Sequence, residues 1–211
     1  MADLETIRCY NQLARQHAAF QRSQQPTAIY RLIETFFHPS APTIDVGSGS
    51  GRDVAWLNQH GYPAIGLEPS AMMIAEAHKA YPEIEVRLDS LPELSSIEDA
   101  SFDNVLCVAV LMHLPPSDLR CAVVHLARIL RPGGRLIVSY RTPPPEGERA
   151  IDGRLFTAIS PAAFTSLLAA NGFQLLFLEE IPDHSRPLIR WWNVVAEKIL
   201  LSGNADCRPV Y

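Results

Sequence analysis

No run of this chain approaches the roughly 20 consecutive apolar residues that a membrane-crossing helix needs. The strongest apolar stretch, residues 105–112, directly follows Asp103 and Asn104 and reads as a buried strand. The first residues carry Asp3, Glu5 and Arg8 where a secretory signal would have a basic start and an apolar segment, so a cytoplasmic protein is expected. Cysteine is scattered: Cys9, Cys107, Cys121 and Cys207 form no C-x-x-C pair. His113 and His125 lie near Cys107 and Cys121 without completing a four-ligand zinc spacing, so reduced structural thiols and no metal are expected. Basic charge is also short, with 18 Lys+Arg against 23 Asp+Glu and a formal charge of −5, which argues against nucleic acid as a partner. Internal repeats and low-complexity tracts are absent.

What remains is the composition of an ordinary globular chain: 211 residues, 47% hydrophobic, 19% charged and 8% aromatic. One domain of this size buries roughly 70% of its unfolded surface and needs no staple. A polar, helical section runs to about Phe37 and is broken by His38-Pro39-Ser40-Ala41-Pro42. Residues 43–47 form a short apolar strand ending in glycines, and residues 52–60 carry Val54, Ala55 and Leu57 at helical spacing before Gly61. The unit repeats with a strand over 64–68 and a helix capped by Ser70 that runs through Met73, Ala77 and Ala80.

A third strand is predicted over 84–88, a fourth over 102–112 with apolar residues on both faces, and a fifth over 135–140. Between the last two, Leu119, Val123, Leu126, Ile129 and Leu130 make an amphipathic helix ended by Arg131-Pro132-Gly133-Gly134. Residues 141–153 hold three consecutive prolines and are expected to be a loop without internal structure. Ser160 and Pro161 open a helix closed by Gly172, and strands follow over 173–181 and 190–200. The connection over 182–189 is too short for a crossover helix, so the last strand should run antiparallel. The expected fold class is α/β: a Rossmann-like, doubly wound, seven-stranded, mostly parallel sheet with an antiparallel last strand.

The most informative segment is Thr43-Ile44-Asp45-Val46-Gly47-Ser48-Gly49-Ser50-Gly51-Arg52-Asp53. Glycines at 47, 49 and 51 let backbone approach a ligand, and the following helix aims its positive end at the same point. A Walker loop would end in Gly-Lys-Ser/Thr, which is absent. The dinucleotide fingerprint would need a sixth-position glycine where Arg52 stands. Asp45 would repel a diphosphate but suits an ammonium or sulfonium ligand. Glu68, at the tip of the second strand, can accept both hydroxyls of a ribose, or is a solvated loop residue.

Asp45-Val46-Gly47-Ser48-Gly49-Ser50-Gly51, Glu68-Pro69-Ser70-Ala71-Met72-Met73 and Leu130-Arg131-Pro132-Gly133-Gly134-Arg135-Leu136 resemble the class I S-adenosylmethionine-dependent methyltransferases over about residues 43–141. The resemblance implies S-adenosyl-L-methionine as cofactor, with Gly47 and Gly49 cradling the methionine moiety, Ser48 and Gly51 in the same loop, Glu68 on the ribose, and Asp89-Ser90-Leu91 around the adenine. Met73 would pack on the adenine or belong to the helix core; Asp89 would accept from the adenine amino group or serve a turn. Val108 and Ala109 would line the other side of the switch point. The family more often has Asp at the position of Glu68, and either acid presents a carboxylate. The closing segment Arg190-Trp191-Trp192-Asn193-Val194-Val195 also resembles the family's antiparallel last strand.

In the same frame the whole chain is one domain: residues 1–40 a helical lid, 41–141 the cofactor-binding core, and 142–211 a substrate-side loop, helix and final strand pair. Tyr10 resembles a lid residue of small-molecule members. His113 is placed to act as a base or to support the site as a packed histidine. Arg141 opens the proline-rich loop, where it holds an acidic substrate or is simply solvated. The absence of a long insertion, a basic face or an added domain favours a small-molecule acceptor. Two other readings stay open: a nicotinamide-dependent oxidoreductase, and a methyltransferase-like binding protein without turnover.

Overall fold

The computed structural model describes residues 3–144, 147–183 and 186–199. Three helices come first: α1 (Leu4–Gln12), α2 (Ala14–Ser23) and α3 (Thr27–Phe36). The predicted helical section is thus divided, at Leu13 and again before Pro26. Asp3 caps α1 by accepting from the Thr6 amide at 2.8 Å.

The α/β body follows as β1 (Thr43–Val46), α4 (Arg52–Gln59), β2 (Ala64–Glu68), α5 (Ala71–Ala80), β3 (Val86–Leu88) and β4 (Phe102–Val108). It continues with α6 (Leu119–Ile129), β5 (Leu130–Arg141), α7 (Pro161–Ala170), β6 (Phe173–Pro182) and β7 (Arg190–Lys198). The seven strands form one sheet in the order β3-β2-β1-β4-β5-β7-β6. Strands β1 to β5 pair in parallel, and β7 is antiparallel to both neighbours. Strand order reverses beside β1, between β2 and β4, which opens a crevice at the carboxyl ends of those strands.

The two faces of the sheet follow directly from side-chain alternation. Val105, Cys107, Leu136, Val138, Val194 and Ala196 point to the face covered by α6 and α7. Leu106, Ile137 and Val195, one residue out of phase, point to the face covered by α3, α4 and α5. Burial on both sides is why these strands read as continuous apolar runs. Asn104, fully buried in β4, donates to the His38 carbonyl (2.9 Å) and Thr43 Oγ1 (3.0 Å) and accepts from the His38 amide (2.9 Å), fixing the entry into β1.

Several boundaries differ from the sequence expectation. The apolar run over 105–112 is strand only to Val108: Ala109 takes a left-handed φ of 61°, and Leu111–His113 is a 3-10 turn. Leu111 and Met112 are still buried, so hydrophobicity continues where the strand does not. The third strand begins at Val86 rather than residue 84. The Arg131-Pro132-Gly133-Gly134 segment lies within β5, with an irregular register against β4 between Phe102 and Asn104, and α6 ends just before it at Ile129. The loop expected to lack internal structure contains a bridge between Arg149 and Leu155, while Pro145 and Glu146 lie outside the described residues. The last strand ends at Lys198; Leu200 and Cys207 lie outside the described residues. Cys9, Cys107 and Cys121 are free thiols, and among the described residues no helix is long and apolar enough to cross a membrane.

Candidate active site

The crevice beside β1 is an open-mouthed cavity at the carboxyl ends of the central strands. Its floor comes from strand ends and the turns after them: Val46, Gly47 and Gly49 after β1, Glu68 and Pro69 after β2, Asp89, Ser90 and Leu91 after β3, and Val108, Ala109 and Val110 after β4. Its cover comes from Thr6, Ile7 and Tyr10 of α1 and Gln21 of α2, with His113 and Leu114 closing one end.

The glycine loop owes its shape to positive φ values at Gly47 (77°) and Gly49 (53°). A Cβ at Gly47 would overlap Val110, and one at Gly49 would overlap the Gln21 side-chain oxygen. Every amide of the loop is engaged. Those of Gly47 and Ser48 donate to the Leu67 carbonyl (2.7 and 2.8 Å), Gly49 to Glu68 Oε2 (2.9 Å), Ser50 to Gln21 Oε1 (2.8 Å) and Gly51 to the Ser48 carbonyl (3.0 Å). A loop built for diphosphate turns such amides toward the anion; here none is left free.

Glu68 is 6% exposed and accepts from the Gly49 amide on Oε2 and the Ser70 amide on Oε1 (3.0 Å). Burial pushes its carboxyl up to about 7, against the lowering effect of those two hydrogen bonds. Asp45 is also buried and receives no hydrogen bond; burial and the neighbouring Asp53 carboxylate raise it well above the ordinary range, with Arg52 opposing. Arg52 itself holds the cover down. It pairs with Asp53 (2.7 Å) and donates to the Gln21 carbonyl (2.7 Å), while Tyr30 of α3 donates to the same Asp53 (2.9 Å). On α1, Asn11 Oδ1 accepts from Ser70 Oγ at 2.9 Å.

His113 lies at the far end of the cavity. Its Nδ1 meets the Leu155 carbonyl at 2.5 Å, and because a carbonyl can only accept, the proton is on Nδ1. Nε2 therefore presents a lone pair, to which the Tyr10 hydroxyl donates at 3.3 Å. Burial lowers the imidazole to about 4, so it is neutral in ordinary buffers. The Phe156 ring packs edge-on against it, with centroids 4.9 Å apart.

Of the residues singled out from the sequence, the cavity gathers Tyr10, Gly47, Gly49, Glu68, Asp89, Ser90, Leu91, Val108 and His113. The other five do not line it. Asp45 lies one residue behind the lining. The Ser48 side chain turns toward Gly66 in β2, its hydroxyl buried without a partner. Gly51 starts α4 in a left-handed conformation against Ile84 and Ala77. Met73 is fully buried with Ala14 and Ala18, beneath α2. Arg141 stacks on Phe156, behind His113. Asp89 lines the cavity and also closes a turn, accepting from the Ser90 amide (2.7 Å) and from the Ser96 amide (2.8 Å) and hydroxyl (2.5 Å).

Sequence reasoning missed Gln21, Asn11, Arg154 and Phe156. Each acts through contacts far away along the chain, and no local motif marks them. Among the described residues, Cys9, His17 and Asp152 have ligand atoms within 4.8 Å of one another, but Asp152 already pairs with Arg154 at 2.8 Å.

Residues 44–138 match the family described as methyltransferase domain. An O-methyltransferase, resE, of Aspergillus sclerotiorum is 29% identical over 70% of this chain and 60% of its own length. A ubiquinone biosynthesis O-methyltransferase of Xanthomonas oryzae pv. oryzae is 34% identical over 49% of this chain and 45% of its own. The chain thus spans about half the length of these curated relatives. In fold it is similar to the Burkholderia thailandensis 1,6-didemethyltoxoflavin-N1-methyltransferase, solved with 1,6-didemethyltoxoflavin and S-adenosylhomocysteine, at TM-score 0.68 and 22% identity, covering 82% of this chain and 77% of that one. With the strand order, the glycine turn and the acid ending β2, these matches make residues 44–138 similar to a methyltransferase domain on a fold shared with solved S-adenosylmethionine-dependent methyltransferases.

Proposed function

We propose that this chain transfers a methyl group from S-adenosylmethionine to a hydroxyl group of a small molecule. The observation that carries the reading is the position of a neutral histidine, whose Nε2 lone pair faces the Tyr10 hydroxyl, at one end of the cavity that has the Glu68 carboxylate and the glycine turn in its floor. The residues present fit the cofactor. Glu68 offers carboxylate oxygens to a ribose diol, and the glycines leave room for close approach. When bound, the cofactor supplies an electrophilic methyl carbon on a sulfonium.

The chain's own residues then orient and exclude. Helices α1 and α2 cover the cavity through Asn11, Gln21 and Tyr10, keeping water from the reacting end. His113 Nε2 takes the hydroxyl proton as the acceptor oxygen commits to the methyl carbon, and its Nδ1 proton stays fixed on Leu155. The names of the two curated relatives, both O-methyltransferases, support oxygen as the acceptor atom. A cavity roofed by residues of two helices supports a small molecule.

Calorimetric titration of the full chain with S-adenosylhomocysteine and, separately, with NADPH tests the cofactor half. Binding of the first at micromolar concentration with none of the second is expected, and the reverse result would sink the reading. Transfer of labelled methyl to a panel of hydroxylated aromatics tests the acceptor half, with matched amines and thiols as the outcome against it.

A further inference from the structure

Arg141 and Arg154 both lie over the Phe156 ring, behind His113 and outside the lining of the cavity. Arg154 is paired with Asp152 (2.8 Å), reaches the Tyr10 hydroxyl (3.5 Å) and lies over the Phe156 ring at 5.5 Å. Arg186 is paired with Asp183 at 2.5 Å. Arg141, at the carboxyl end of β5, differs from both. It is 7% exposed, and its guanidinium carbon sits 3.9 Å from the Phe156 centroid, on the ring that also packs against His113. Its one hydrogen bond runs from NH1 to the Thr142 carbonyl at 3.0 Å, and it forms no ion pair among the described residues.

A buried guanidinium carries five N–H donors in a planar fork shaped for a carboxylate, and burying that charge without a partner is unfavourable. Arg154 and Arg186 raise the local positive potential further, and Asp183 offsets only part of it. Burial and these neighbours pull Arg141 down to about 10, still fully charged at neutral pH. The carboxylate that acts on this buried positive centre, Asp183, is shared with Arg186 and Trp191, which leaves the Arg141 fork able to take a further anion.

Resting on the methyltransferase reading above, we infer that the acceptor is an acid: a hydroxylated small molecule whose carboxylate is received by Arg141. Because Arg141 and His113 flank the same phenyl ring, the acid group and the methylated hydroxyl sit within about one aromatic ring of each other on the acceptor. Arg141 is then a specificity residue, and Phe156 sets the separation between anion receptor and base.

The test uses benzoate and benzamide, which share a shape and differ in charge, in thermal unfolding of the full chain saturated with S-adenosylhomocysteine. Benzoate at millimolar concentration is expected to raise Tm by several degrees where benzamide at the same concentration does not. Arg141→Met should abolish the benzoate shift and, with no anion present, unfold at or above the wild-type temperature, since an unpaired buried charge has been removed. Arg141→Lys, which keeps the charge but loses the fork, should retain a smaller benzoate shift, and it serves if the methionine variant does not fold. Equal shifts from benzoate and benzamide, no shift from either, or an undiminished benzoate shift in the methionine variant would overturn the inference. S-adenosylhomocysteine binding is read separately: its loss defeats the methyltransferase reading, while its retention without carboxylate discrimination defeats only the acid acceptor.

Discussion

The Tyr10 hydroxyl donates to Nε2 of His113 across 3.3 Å, joining helix α1 to the turn just beyond β4. In the proposed mechanism the lone pair that α1 occupies is the one a reacting hydroxyl needs. Acceptor binding would then replace the tyrosine at Nε2 and couple the cover to the chemistry.

Replacing His113 with glutamine keeps a polar side chain of similar reach but removes the base. At saturating cofactor, kcat is expected to fall by about 10²- to 10⁴-fold, the usual contribution of a positioned base, while S-adenosylhomocysteine affinity changes less than about twofold. Because burial holds the imidazole at about 4, wild-type kcat should be level between pH 6 and 8 on its account. A variant that raises only KM would assign His113 to packing.

Glu68 produces the opposite pH behaviour. Its folded-state carboxyl titrates at about 7 against an ordinary value of 4.5. The stability conferred by the buried neutral form is complete below about 4.5 and is lost as pH rises through about 7. Ribose hydroxyls prefer the ionised carboxylate, so S-adenosylhomocysteine should bind more tightly as pH climbs toward 7 and release a proton on binding. Calorimetry in buffers of different ionisation enthalpy reads that proton, and Glu68→Gln should show neither effect.

At Gly47 a side chain faces two obstacles at once, a φ of 77° and the branched end of Val110. Gly47→Val is expected to abolish cofactor binding and also to lower stability by about 1–3 kcal/mol through strain and overpacking. Thermal unfolding beside calorimetry separates the two effects. A variant that binds normally would show that Val110 and the loop can shift.

Asn104 provides a test of the fold away from the site. Truncation to alanine leaves the half-buried His38 amide and carbonyl and the buried Thr43 hydroxyl without their side-chain partner, and a loss of about 1–3 kcal/mol in denaturant unfolding is expected. S-adenosylhomocysteine affinity at low denaturant should be unchanged, since the entry into β1 lies at the opposite end of the strand from the glycine turn.

The readable parts of the sequence were those whose signal is local. Glycines at alternate positions mark the turn after β1, Ser70 caps α5 by accepting from the Met73 amide, and a connection too short for a helix makes β7 antiparallel. The unreadable parts depend on distant segments meeting. Gln21 reaches Ser50, Asn11 reaches Ser70, and Leu155 fixes the tautomer of His113, each across a separation that composition and periodicity do not encode. Hydrophobicity misled where burial outlasts regular structure, as at Leu111 and Met112. Ala109 bends the chain there without a glycine to announce it.

Helices α1 and α2 precede every surface on which they rest. Ala14 and Ala18 need Met73 of α5, Thr6 needs the Leu155 amide, and Asp3 needs Arg149, all of which follow later in the chain. During synthesis these two amphipathic segments wait, unsupported, until the sheet and then the segment after β5 have emerged. Their docking therefore has to wait for contacts made far along the chain, which ties the roof of the cavity to the completion of the sheet.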